Sequence, residues 1–66
     1  MIQLNSVSGK EFYLNNELIY KIERDFDTII TLIDLKTVRV QDTPEEIVNK
    51  VIEFKKRIYQ TEAGVE

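Results

Sequence analysis

The sequence predicts an α+β domain: five short antiparallel strands, as a meander or small barrel, followed by one C-terminal amphipathic helix. Three observations predict it. Apolar residues alternate in brief runs over the first forty positions, with turn residues at close spacing. The period then changes from two to about 3.6 in "DTPEEIVNKVIEFKKRIYQ". The chain has only 66 residues, enough for one domain.

Met1 to Val7 reads as the first strand, with Ile2 and Leu4 on one face. Ser8-Gly9 is a turn signal, since glycine accepts positive φ without steric penalty. Lys10 to Leu14 is the second strand, with Phe12 and Leu14 on one face, so the two form a hairpin. Asn15-Asn16 marks the next turn. Leu18 to Arg24 suits a strand entered through a short turn, although Leu18, Ile19 and Ile22 equally suit one helical turn. Asp25-Phe26-Asp27 closes a hairpin into Thr28 to Ile33, and Asp34-Leu35-Lys36 leads into Thr37 to Gln41.

The helix start carries several agreeing signals. Thr43 stands at the N-cap, Pro44 at the first helical position, and Glu46 completes a capping box. Ile47, Val51, Phe54 and Ile58 follow as one stripe down a helix of about four turns, widened by Val48 and Ile52. Lys55, Lys56 and Arg57 are placed to complement the negative end of the helix dipole. The expected organisation is one domain over residues 1–60 and a frayed tail over 61–66.

Composition excludes more than it proposes. With no cysteine and no histidine, neither a disulfide nor a Cys/His zinc site is available to a scaffold of marginal size. The formal charge of -3 gives no support for phosphate-backbone binding. Ile2 and Leu4 are interleaved with Gln3 and Asn5, so no signal-peptide core is legible, and no run reaches membrane-span length. The expectation is a cytoplasmic protein.

The candidate sites are weak. Asp25 and Asp27 read as solvated turn acids, because Ile29 and Ile30 occupy positions where a calcium loop needs ligands and glycine. Gly9-Lys10 lacks the second glycine and the following helix of a phosphate loop. Tyr13, Tyr20 and Tyr59 have no catalytic companions, and Ser6 and Ser8 flank a turn. No catalytic, cofactor or metal residues are therefore expected.

One anomaly remains. Ile2, Leu4, Phe12, Leu14, Tyr20, Ile22, Ile30, Leu32, Val38 and Val40 can line one sheet face under the helix. That leaves Tyr13, Ile19, Ile29 and Ile33 on the other face, a set expected to form an interface, most simply in a homodimer.

The stretch "MIQLNSVSGKEFYLNNELIYKIERDFDTIITL" resembles the small flagellar FlbD/SwrD family of bacteria. The resemblance is carried by Met1, Ile2 and Leu4, by Gly9, Phe12, Leu14 and Asn15, and by Ile22-Glu23. Its most specific part is Asp27, Thr28, Ile30, Thr31 and Leu32. Val40, Glu46 and Val51 also fit, so the likeness spans about residues 1 to 58. Ser6-Val7, Phe26 and Asp34-Leu35-Lys36 depart from the family pattern. The resemblance implies a non-enzymatic flagellar accessory protein that supports swarming by raising motor power through the stator. It places the protein in the cytoplasm or peripherally at the motor, with motor or stator proteins as partners beside the second copy expected from the two-faced strand. It carries over no catalytic residues.

The competing reading is an RNA-binding regulator similar to the carbon storage regulator family, which shares the strands-then-helix order. Leu4-Asn5-Ser6 and Pro44-Glu45-Glu46-Ile47 lack that family's arginines, and the net charge has the wrong sign.

Overall fold

The computed structural model describes the backbone of residues 1–65 and the side chains of residues 1–58. Five strands, β1 (Ile2–Asn5), β2 (Glu11–Leu14), β3 (Ile19–Asp25), β4 (Asp27–Leu32) and β5 (Thr37–Val40), precede one helix, α1 (Pro44–Val65). A short 3₁₀ turn, Asn16–Leu18, leads into β3. Its N-cap is Asn15, whose Oδ1 accepts from the Glu17 amide at 3.1 Å.

The strands form two antiparallel sheets, β1-β2 and β3-β4-β5, and do not close into a barrel. They meet end to end. Ser6 bridges Val40, and the Gln41 amide donates to the Asn5 carbonyl at 2.8 Å. Ile33 N–H donates to the Leu18 carbonyl at 2.9 Å, which ties the 3₁₀ turn to the end of β4. The first hairpin turns at Gly9, at φ +90, in the left-handed region expected of a glycine.

The buried core is Ile2, Leu4, Ile30, Val40 and Ile47, so both sheets and the helix each contribute to it. Phe12, Leu14, Ile22, Leu32, Val38, Val51 and Phe54 pack around it, in keeping with the alternation read from the strands. Tyr20 is the exception. It is 66% exposed, whereas Ile19, expected on the opposite face, packs against the core. The pairing explains the exchange. Ile19 faces Leu32 and Lys21 faces Thr31, so Tyr20 is one extra residue on β3 and the face switches there.

The helix also differs from expectation. Ile47 is buried, Val51 and Phe54 are half-buried, and Ile58 is exposed. The helix has 22 residues, about 33 Å at 1.5 Å per residue, and outruns strands of four to seven residues. The stripe therefore loses its cover toward Ile58. Because the helix continues to Val65, Lys55, Lys56 and Arg57 lie within it rather than at its end, and the dipole account of these bases does not hold. Lys56 instead pairs with Glu53 at 3.9 Å. The expected frayed tail over 61–66 falls on side chains outside the described residues, and Glu66 lies outside them altogether.

Candidate functional site

The most organised polar cluster joins the strands to the helix. Asp42, in the short connection between β5 and α1, is 5% exposed. Its Oδ1 accepts from the Asn5 amide at 2.7 Å, and its Oδ2 accepts from the Lys50 ammonium at 2.7 Å and more weakly from Asn5 Nδ2 at 3.4 Å. Lys50 Nζ also donates to the Gln3 carbonyl at 2.6 Å. One ion pair thus links β1, the β5–α1 connection and the second turn of α1. Burial pushes the Asp42 carboxyl up. The Lys50 hydrogen bond and charge and the Asn5 amide outweigh burial, and hold the carboxyl below its ordinary value.

This cluster is a joint rather than a reaction centre. Each atom of the carboxylate is directed at a donor of the fold itself. Beside it a cleft of about 360 Å³ runs between the start of β1 and α1, lined by Met1, Gln3, Lys50, Glu53, Phe54 and Arg57. A second hollow, about 270 Å³ and largely apolar, lies between β3 and α1. Asn16, Ile19, Ile22, Val48, Val51 and Ile52 line it. Val48 and Ile52 on its rim are 48% and 45% exposed.

The residues singled out from the sequence do not converge. Asp27 pairs with Arg39 at 3.6 Å, while Asp25 is exposed across the hairpin tip. No group of three or more Asp or Glu among the described residues is placed to hold a metal ion. Ser6 and Ser8 hydroxyls share a hydrogen bond at 2.8 Å, and Ser6 Oγ accepts from the Lys10 amide at 3.1 Å, so both serve the turn. Tyr13 and Ile33 stand out at 67% and 61% exposure. Ile29 is half-buried and stands opposite Glu23 on one side and Arg39 on the other. Ile19 has moved to the groove. The sequence assigns Asp42 no role, since its partners are not announced by any local pattern, and marks Asn16 only as part of a turn.

The comparison with family models gives a match to FlbD, described as flagellar and swarming motility proteins, over residues 1–59. The chain belongs to the FlbD family. Searches of curated proteins and of solved structures return no match. As an FlbD protein the chain falls in a motility accessory family that is not known as one of enzymes. The FlbD match covers all five strands and most of α1, including Asp42, Lys50 and both hollows. Among the described residues of this FlbD chain, no helix is long and apolar enough to cross a membrane.

Proposed function

We propose that the protein is a non-enzymatic accessory of the flagellar motor, acting on the cytoplasmic side to raise motor power through the stator and so to support swarming. The observation that supports this reading is the family match over residues 1–59. The surface is compatible with protein contacts: Tyr13, Phe26, Ile33 and Leu35 are apolar side chains at least 61% exposed.

The test is genetic and mechanical. Deleting the gene should abolish swarming while filaments still assemble, and single motors should turn with lower torque. Supplying extra stator proteins should restore part of that torque. Normal torque in the deletion strain would remove the stator from the account. Tight, salt-sensitive RNA binding in a gel shift would instead favour a regulator.

A further inference from the structure

We infer that the chain pairs with a second copy of itself along the outer edge of β2, which joins two hairpins into one four-stranded sheet. This inference is independent of the motility reading. It starts from the backbone. Successive residues of an antiparallel strand turn their N–H and C=O groups alternately toward one neighbour and the other. Asn5 turns away from β2, since its amide donates to Asp42 at 2.7 Å and its carbonyl accepts from Gln41 at 2.8 Å. Ser6 turns toward β2, its amide donating to the Lys10 carbonyl at 2.8 Å. The register sets Asn5 opposite Glu11, Leu4 opposite Phe12 and Gln3 opposite Tyr13. Phe12 therefore bonds to β1, while Glu11 and Tyr13 direct their N–H and C=O groups outward. β2 is the edge of its sheet, and both residues are exposed. Unpaired groups in such a row are a template for another strand.

The edge is complementary to itself, which makes a second copy the strand that fits it. A twofold axis through Phe12 sets Glu11 of one copy opposite Tyr13 of the other, and each such pair exchanges both hydrogen bonds. Phe12 then meets its own counterpart at the close, non-hydrogen-bonded spacing that suits an aromatic pair. Lys10 falls opposite Leu14, so no like charges meet across the joint. Phe12 and Leu14 already pack against the core, and the joint continues the apolar face of one hairpin into the other. A two-stranded hairpin is marginal alone, whereas three or more strands with an apolar face are not. The other open edge offers no such match. β3 is interrupted by the extra residue at Tyr20 and carries Lys21, Glu23, Arg24 and Asp25 over its remaining length, features that oppose edge pairing.

Sedimentation and amide hydrogen exchange of the full chain, from micromolar to millimolar concentration, test the pairing. The native protein should show a monomer–dimer equilibrium. Exchange at the Glu11 and Tyr13 amides should slow in step with the dimer fraction, while the amides of β3 should be indifferent to concentration. Tyr13→Pro removes an outward N–H that β1 does not use, so the hairpin should stand. Two hydrogen bonds are lost per dimer, and the apparent Kd should rise roughly tenfold. Tyr13→Phe keeps the amide and should pair like the native chain. The exchange measurement uses the native protein and so does not depend on a variant folding. A chain that stays monomeric at millimolar concentration would overturn the inference. So would a dimer whose Glu11 and Tyr13 amides exchange as fast as in the monomer, or one that Tyr13→Pro leaves intact.

Discussion

Asp42 and Lys50 lie eight residues apart and meet at 2.7 Å, with the carboxylate buried and the lysine side chain 34% exposed. Through this pair the helix is fastened to β1, because Asp42 also accepts from Asn5 and Lys50 also donates to Gln3. Removing the carboxylate leaves the Asn5 amide without its acceptor and leaves the ammonium only the Gln3 carbonyl. Asp42→Ala should therefore destabilise the domain by about 2–3 kcal/mol, below the usual range for a fully buried pair because Lys50 retains contact with water. Urea melts of the two proteins check this, and a loss under about 0.5 kcal/mol would mean that the joint is dispensable.

The same pair sets a pH dependence. The Asp42 pKa is lowered in the folded state. As pH falls, the unfolded chain binds the proton first, so the stabilisation is whole above about pH 4 and is lost as pH drops through the lower folded-state value. The gap in melting midpoint between the native protein and Asp42→Asn should be constant near neutrality and should narrow in acid. A gap that widens in acid would reverse the sign of this coupling.

The helix start is a reciprocal capping box. The Glu46 amide donates to Thr43 Oγ1 at 3.2 Å, and the Thr43 amide donates to Glu46 Oε1 at 3.1 Å. Thr43→Ala removes one acceptor and should cost about 1 kcal/mol. Thr43→Ser, which keeps the hydroxyl, should lie close to the native protein in the same denaturant series. Equal midpoints for Thr43→Ala and the native protein would show that the cap contributes nothing to stability.

Local signals carried most of the architecture. The strand alternation, the glycine turn and the Thr-Pro-Glu-Glu helix start each act over a few residues, and each is where the sequence places it. Two things were not legible. The extra residue at Tyr20 leaves no trace in hydropathy, since a tyrosine suits either face of a strand, and this one moved Ile19 from the expected interface to the groove. Asp42 carries no local signal, because one of its partners, Asn5, is 37 residues away. The groove was half legible. Val48 and Ile52 were visible as a widened stripe, but Asn16 read only as a turn marker until its buried oxygen was placed.

Phe26 offers a change that should stabilise the protein. It sits alone between the paired residues Asp25 and Asp27, at φ 62, and is 100% exposed. A bulky side chain in the left-handed region costs about 1–2 kcal/mol relative to a helical or extended conformation. Full exposure means that no packing in the monomer offsets this. Glycine adopts the conformation freely, although it adds freedom to the unfolded chain. The balance predicts a gain of about 0.5–1 kcal/mol for Phe26→Gly, seen as a higher denaturant midpoint at unchanged slope. Leu35, at φ 71 and 73% exposed, should respond to Leu35→Gly in the same direction. If Phe26→Gly stabilises the protein yet abolishes swarming, the aromatic ring at the hairpin tip is held in strain for a partner. If it destabilises the protein, the ring makes a contact in the folded chain that its exposure denies.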